Sequence, residues 1–224
     1  MLATPVVVVN FKAYAQVTGP GALELARALE RAARKASGSV AVAPPMLELA
    51  EVARGTSLAV LAQHADALVP GAGTGHVTVE AINASGAKGA ILNHAEHKVG
   101  LEVLQATVLR LRAAGLVSLV CAGNVAASRA AAALLPDMVA VEPPELIGGE
   151  VSVTTADPGV VRGAVDAVKQ IAPQVKVLCG AGVKNGKDVR RARELGADGV
   201  LLASGVVLSK DPEKALLDLL EGLR

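Results

Sequence analysis

Three side chains of different chemistry each follow a short apolar run in this sequence. Lys12 comes two residues after VVVVN, His94 ends the run GAILNH, and Glu142 follows MVAV. They provide a cation, an imidazole and a carboxylate, which together suit proton transfer beside a negative charge that develops during a reaction. Each of them alone would be equally typical of a solvated loop, so this interpretation requires that all three meet in the fold.

The stretch NHAEH, residues 93–97, also raises the alternative of a metal site. His94 and His97 are three residues apart in what we expect to be a loop or a helix start. Zinc motifs on helices place their histidines four residues apart. No third ligand is obvious, although His64 and His76 exist. We therefore expect no metal, and we interpret His97 and His76 as surface or loop residues.

Small residues follow the last three apolar runs of the chain. They are Gly148, Gly149, Gly180, Ala181, Gly182, Ala203, Ser204 and Gly205. Glycines after strands often only make turns, but their exposed backbone N–H groups can also cradle a phosphate. Combined with the proton-transfer residues, they favour chemistry on a small phosphorylated molecule.

The elements that must position these residues recur along the chain. Eight apolar runs occupy 5–10, 39–44, 58–63, 89–94, 117–122, 138–143, 175–180 and 199–204. Each is continuously apolar, as is typical of parallel strands buried on both faces. Helical periodicity appears in 21–35 and 102–114, the Asp-Pro pairs at 157–158 and 211–212 predict two helix starts, and 79–86 allows only a stub of helix.

Strand–helix alternation repeated eight times predicts an α/β fold, a (β/α)8 barrel forming a single domain over residues 1–224. The main alternative is an open doubly wound sheet, which would be expected to carry a Gly-rich turn after its first strand. Here VVVVN continues into FKAYAQ without a glycine. In a barrel, residues that follow the strands share one mouth, so Lys12, His94 and Glu142 are expected to converge there.

The composition argues against several classes of function. Twenty-two basic and twenty-one acidic residues leave a net charge of +1, and Phe11 and Tyr14 are the only aromatics. Binding of nucleic acid or of an anionic membrane is therefore not expected. Cys121 and Cys179 lack metal-ligand spacing and are predicted to be small buried residues. We find no signal peptide and no bilayer-spanning run, so we expect a soluble, cytoplasmic protein.

Five motifs occur in a characteristic order along the whole chain. They are NFK (10–12), NHAEHK (93–98), AVEPPELIGG (140–149), CGAGV (179–183) and ASG (203–205). Together they resemble the triosephosphate isomerase family, and EPPELIGG with the compact length resembles its archaeal branch. The resemblance implies a TIM barrel that interconverts dihydroxyacetone phosphate and D-glyceraldehyde 3-phosphate through an enediolate. No cofactor is implied, because only protons move.

The resemblance also implies a role for each matched residue. Asn10 and Lys12 match substrate-binding positions, and Lys12 is also catalytic. His94 matches the electrophile, Glu142 the catalytic base, and Glu96 the carboxylate that supports the lysine. Residues 143–149 match a closing lid, hinged by prolines on one side and glycines on the other. The phosphate-contacting backbone would belong to Ile147, Gly148, Gly182, Ala203 and Ser204.

Two further expectations come from the family. The segment 64–80, with Thr74 near its middle, matches a loop that docks into a neighbouring subunit, so a homodimer or a homotetramer is implied. We also expect a helix to begin directly after His94, where its N-terminal dipole would favour a neutral imidazole.

The sequence departs from the family pattern at two places. Ala95-Glu96-His97 replaces the usual Ser-Glu-Arg after the catalytic histidine, and the lid ends with 148–150, Gly-Gly-Glu, instead of Gly-Thr-Gly. Ala95 lacks a hydroxyl that could tune the resting position of the base, and His97 lacks a guanidinium that could brace the loop. Neither position carries the proton or the negative charge, so we expect the reaction to be unchanged.

Two other functions remain open from the sequence. Another phosphate-binding barrel enzyme, such as a Schiff-base aldolase, would place a lysine inside a central strand, whereas Lys12 lies past its strand end. A non-catalytic sugar-phosphate-binding barrel would have no need of a base such as Glu142.

Overall fold

Eight parallel strands form a closed barrel in the computed structural model, which describes residues 2–149 and 151–224. The strands are β1 (Val6–Asn10), β2 (Ser39–Ala43), β3 (Ala59–Ala62), β4 (Gly89–Leu92), β5 (Val117–Ala122), β6 (Met138–Val141), β7 (Lys176–Cys179) and β8 (Gly199–Leu202). Each strand pairs with the next one in the chain, and β8 pairs with β1. The eight predicted strands and the (β/α)8 fold class are confirmed.

The helices lie between successive strands of the chain, except that the last two follow β8. They are α1 (Pro20–Ala36), α2 (Leu49–Gly55), α3 (Val79–Ser85), α4 (Leu101–Ala113), α5 (Val125–Ala133), α6 (Val153–Ala156), α7 (Pro158–Ile171), α8 (Gly186–Glu194), α9 (Ser204–Val207) and α10 (Pro212–Glu221). Short 3₁₀ turns occupy Ala15–Val17, Met46–Glu48 and Pro144–Leu146. The predicted helices at 21–35 and 102–114 are confirmed to within one residue, and 79–86 holds the expected short helix.

The two Asp-Pro pairs start helices as predicted. The carboxylate of Asp157 accepts the N–H of Val160, and that of Asp211 accepts the N–H of Lys214. Each bond satisfies one N–H of the first helical turn, which has no partner within its own helix. The local sequence therefore fixes where α7 and α10 begin.

The continuous apolar character of the strands follows from burial on both faces. In β1, Val6 and Val8 belong to the core inside the barrel, whereas Val7 and Val9 pack in the core between barrel and helices. The interior is filled by residues such as Ala41, Leu61, Ile91, Leu119, Cys121, Met138, Ala140, Leu178 and Leu201. Alternate residues of a strand point to opposite faces of the sheet. A strand that is apolar on both faces is therefore buried on both.

Truncation of an interior side chain tests this packing. Leu119→Ala should lower the free energy of unfolding by about 2–5 kcal/mol, because Leu119 is fully buried and the closed barrel cannot collapse onto the cavity. Urea unfolding followed by circular dichroism would measure the change. Leu101→Ala, at a side chain that is 61% exposed on α4, is the matched control and should change it by less than about 0.5 kcal/mol. Equal losses in the two variants would contradict the assignment of the core.

Candidate active site

A cleft at the carboxyl ends of the strands gathers the residues predicted from the sequence. It is lined by Asn10, Lys12, Tyr14, His94, Glu142, Ile147, Gly148, Ala181, Gly182, Val183, Leu201, Leu202, Ala203 and Ser204. Nine of the ten predicted site residues are among them, and the tenth, Glu96, contacts Lys12 from outside the cleft. Sequence reasoning did not assign Tyr14, which follows β1 and offers a hydroxyl at the same mouth.

Lys12 is held at both its backbone and its side chain. Its backbone has a positive φ of 51°, and its N–H donates to the side-chain oxygen of Asn10 at 2.9 Å. The amide of Gln63 donates to the carbonyls of Lys12 at 2.9 Å and Ala43 at 3.0 Å. At the other end, the Lys12 ammonium lies 2.6 Å from a carboxylate oxygen of Glu96. Gln63 was visible in the sequence as a polar residue after β3, but nothing there indicated its partner.

His94 is buried, and its hydrogen bonding identifies its tautomer. The backbone N–H of Glu96 donates to His94 Nδ1 at 3.2 Å, so Nδ1 is an acceptor and the proton of the neutral ring is on Nε2. Burial lowers the pKa of His94; the charge of Glu96 opposes this effect, and those of Lys12 and Lys98 add to it. The ring is therefore a neutral hydrogen-bond donor whose Nε2 faces the cleft.

The prediction of a helix directly after His94 is wrong. Residues 94–97 form a turn in which the N–H of His97 donates to the carbonyl of His94 at 2.8 Å, and α4 begins only at Leu101. Asn93 explains the delay: its side chain accepts the N–H of Val99 at 3.2 Å and donates to the carbonyl of Cys121 at 3.0 Å. The neutral imidazole is consequently favoured by burial and by one N–H group, without a helix dipole.

Glu142 is a buried carboxylate without a full set of partners. Its Oε2 has no hydrogen-bond partner among the described residues and lies 3.9 Å from Nε2 of His94. Burial raises the pKa of Glu142 to about 7, although a weak hydrogen bond from the Cys121 thiol and the charge of Lys12 act in the opposite direction. Cys121 is buried as predicted, but its place beside the carboxylate was not foreseen.

Gly180, directly after β7, has no side chain and so leaves the space that Glu142 occupies. A Cβ on Gly180 would lie 2.5 Å from Oε1 of Glu142 and 2.7 Å from the carbonyl oxygen of Leu201. Both distances are shorter than any side chain tolerates. The glycine that follows β7 therefore has a steric function towards the carboxylate in addition to making a turn.

The loops after β6, β7 and β8 form another part of the cleft wall. Gly148 and Gly182 have φ values of 74° and 70°, and α9 begins at Ser204. A Cβ on Gly182 would lie 2.2 Å from the carbonyl oxygen of Val151, so a glycine at this position allows Val151 to pack there. The first N–H groups of a helix have no partner within it, which leaves donors for an anion. Glu150, the last residue of the unusual lid ending, lies outside the described residues.

The remaining histidines lie together on the far side of Lys12. The rings of His64 and His97 stack with centroids 4.1 Å apart, while His64 and His76 both contact one oxygen of Asp66, at 3.2 and 3.1 Å. His97 is exposed, as predicted, but its ring contacts that of His64. Across residues 2–149 and 151–224, no group of three or more His, Cys, Asp or Glu side chains could hold a metal ion.

Comparison with known proteins agrees with this geometry. The family model described as triosephosphate isomerase matches residues 5–222. This chain belongs to the triosephosphate isomerase family. A curated triosephosphate isomerase of Methanopyrus kandleri is 50% identical over the full length of both chains. Those of Methanothermus fervidus and Methanosarcina mazei are 46% and 44% identical over 96% and 98% of this chain and 97% and 99% of theirs.

Family membership places this chain among enzymes of the isomerase class. The cleft contains the expected lysine, histidine and glutamate, while Ala95 and His97 stand where the family pattern has serine and arginine. Within the described parts of the chain, no helix combines the length and the apolar character needed to cross a bilayer.

The buried carboxylate predicts a pH-dependent cost in stability. Because its folded pKa is raised above the unfolded value, the fold favours protonated Glu142, and stability present at low pH is lost as the pH rises towards 7. Glu142→Gln should therefore be more stable than wild type by up to about 3 kcal/mol at pH 8, with little difference below pH 4.5.

Denaturant unfolding at several pH values would measure this difference. Glu24→Gln is the matched control, because it removes an exposed carboxylate on α1 and should give a flat difference. If Glu142→Gln also gave a flat difference, the carboxylate would not be desolvated in the folded protein.

Proposed function

We propose that this chain interconverts dihydroxyacetone phosphate and D-glyceraldehyde 3-phosphate, with Glu142, His94 and Lys12 as its catalytic residues. The proposal rests on one arrangement: an unpaired carboxylate oxygen of Glu142 lies 3.9 Å from the protonated nitrogen of a neutral histidine. The cleft that they line also includes the small residues Gly148, Gly182, Ala203 and Ser204. A small molecule with a carbonyl at one end and a phosphate at the other fits these features.

Glu142 acts as the base in this proposal. Its carboxylate removes a proton from the carbon next to the carbonyl and returns it to the neighbouring carbon, so no proton is gained or lost overall. A pKa near 7 suits both steps, because the group is then ionised in part of the molecules and basic enough to take a carbon-bound proton. The weak partner Cys121 leaves the carboxylate free to reach the substrate.

His94 and Lys12 stabilise the enediolate. The Nε2–H of His94 donates to the carbonyl oxygen and moves protons between the two oxygens, while the Lys12 ammonium offsets the developing negative charge. A carboxylate base paired with a neutral imidazole is the known pattern of this family. Here the neutral form is favoured by burial and by the N–H of Glu96.

The remaining site residues bind the substrate. Asn10 orients Lys12, and the backbone at Ile147, Gly148, Gly182, Ala203 and Ser204 binds the phosphate. The lid, residues 143–149, excludes water and thereby prevents loss of phosphate from the enediolate. Its first half is stiffened by Pro143 and a 3₁₀ turn, whereas Gly148 provides freedom in its second half.

The two competing functions have weaker support. The eight strands contain one lysine, Lys176, which is the first residue of β7 and lies 3.6 Å from Asp198. A Schiff-base lysine inside the barrel is therefore lacking. A non-catalytic phosphate-binding barrel has no use for a carboxylate that is buried and unpaired, since such a group lowers stability.

Replacement of the base tests the proposal directly. Glu142→Gln should lower kcat by more than about 10⁴-fold, the upper end of typical general-base contributions, because no second carboxylate lines the cleft among the described residues. A coupled assay with glyceraldehyde 3-phosphate, in the presence of EDTA, would measure turnover. The wild-type kcat/KM should fall with decreasing pH below about 7, where Glu142 becomes protonated.

Glu24→Gln is again the control and should retain wild-type activity. Activity of Glu142→Gln within tenfold of wild type would refute the assignment of the base. Binding of inorganic phosphate without turnover by the wild type would favour the non-catalytic barrel, and inactivation by EDTA would favour a metal enzyme.

We further propose a homodimer or homotetramer formed through residues 64–80, in one domain spanning residues 1–224. A cavity beside the cleft is lined by Lys12, Gln63, His64, Asp66, Gly75, His76, Val77, Glu96 and His97, among others, and could receive the tip of that segment from a second copy. Thr74 at the tip is exposed within one chain. A cytoplasmic location also remains a prediction from the sequence.

Mutation of the loop tip tests this assembly. Thr74→Arg should lower the mass measured by analytical ultracentrifugation to that of a smaller assembly, because the added side chain would not fit the cavity. Glu221→Arg, at the far end of α10, is a surface control and should leave the mass unchanged. An unchanged mass in Thr74→Arg would exclude the loop tip from the interface.

A further inference from the structure

The stacked pair His64–His97 connects two loops beside the catalytic cleft. The ring centroids are 4.1 Å apart and the ring planes differ by 18°, so the contact is face to face. Among the residues that the structure describes, the His97 ring makes no hydrogen bond or ion pair. The contact of His97 with the fold is therefore through the flat face of its ring rather than through its nitrogens.

His64 is a fixed platform for this contact. Its Nε2–H donates to Asp66 Oδ1 at 3.2 Å, and the second oxygen of Asp66 accepts the N–H of Val77 at 2.7 Å. Burial raises the pKa of Asp66, but the hydrogen bonds from Val77, His76 and His64 outweigh it and lower that pKa to about 2, so the carboxylate stays ionised and can only accept. His64 is also attached to β3 through Gln63, whose amide binds the backbone of Lys12.

His97 is also the last residue of the turn 94–97, which contacts two catalytic residues. Its N–H closes the turn on the carbonyl of His94. Within that turn, the backbone N–H of Glu96 donates to His94 Nδ1, and the Glu96 carboxylate lies 2.6 Å from the Lys12 ammonium. The Glu96 side chain is 56% exposed, so the ion pair alone is a weak constraint on an otherwise open turn.

We propose that His97 is a positioning residue for the isomerisation. By resting on His64, its ring holds the turn 94–97 so that Glu96 stays on Lys12 and its N–H stays on His94 Nδ1. This inference rests on the proposed function. It assigns a task to a residue that stands where the family pattern has an arginine, and the task requires a flat side chain rather than a charge.

Charged and titratable groups surround the pair, so a neutral replacement gives the cleanest test. Asp66, His76, Glu96, Lys12 and His94 all line the same cavity. His97→Ala removes the ring, whereas His97→Phe keeps a flat ring that cannot be charged or accept a hydrogen bond. Glu24→Gln is the control, because it alters an exposed side chain on α1, outside the cleft and outside residues 64–80.

We expect His97→Ala to lower kcat and raise KM, with kcat/KM reduced on the order of 10-fold, because both His94 and Lys12 lose alignment. His97→Phe should restore kcat/KM to within about twofold, and Glu24→Gln should resemble wild type. The ¹⁵N NMR signal of His94 Nδ1 should shift in His97→Ala but not in His97→Phe, since it reports the hydrogen bond from Glu96.

Several outcomes would overturn the proposal. His97→Phe as impaired as His97→Ala would show that ring stacking is not what matters. A smaller assembly mass in His97→Ala would assign the loss to assembly instead. An unchanged His94 signal in His97→Ala would contradict the coupling to His94. Because the NMR measurement needs no turnover, an inactive wild type would refute the proposed function while leaving this inference separately testable.

Discussion

The site depends on keeping one carboxylate out of water. Glu142 lies almost fully buried, with one oxygen lacking a hydrogen-bond partner among the described residues, and this burial raises its pKa to about 7. A solvated glutamate would be a much weaker base, so reactivity towards a carbon-bound proton comes from desolvation. The same desolvation makes ionised Glu142 unfavourable in the folded state, and the rest of the barrel must offset that cost.

In the closed barrel, neighbouring strand ends surround Glu142 and leave its side chain little room to move. The neighbouring strand ends contribute Cys121 from β5 and Gly180 after β7, one as a weak donor and the other as empty space. A stronger donor than the thiol would stabilise the carboxylate and lower its basicity. A larger residue than Gly180 would displace it. Small, weakly polar neighbours are therefore what this base needs.

Much of this was accessible from the sequence because it follows from repetitive local patterns. Eight apolar runs predicted eight strands, and the residues after them predicted Lys12, His94 and Glu142 at one mouth. The error concerned the chain after His94, where a helix was expected and a turn was found. Its cause is the side chain of Asn93, which binds Val99 and also the carbonyl of Cys121. Cys121 belongs to β5, a strand distant in sequence. Pairings such as Gln63 with Lys12, or His97 with His64, were invisible for the same reason.

Residues of the same chain hold Lys12 and His94 in the cleft. Lys12 is bound at its carbonyl by Gln63 and at its ammonium by Glu96, and His94 is bound by the backbone of that same glutamate. If a second copy fills the adjacent cavity, its effect is to exclude water from Glu96 and its pair with Lys12, which strengthens an ion pair that is exposed in the single chain. Assembly would then increase the precision of a site that is already formed.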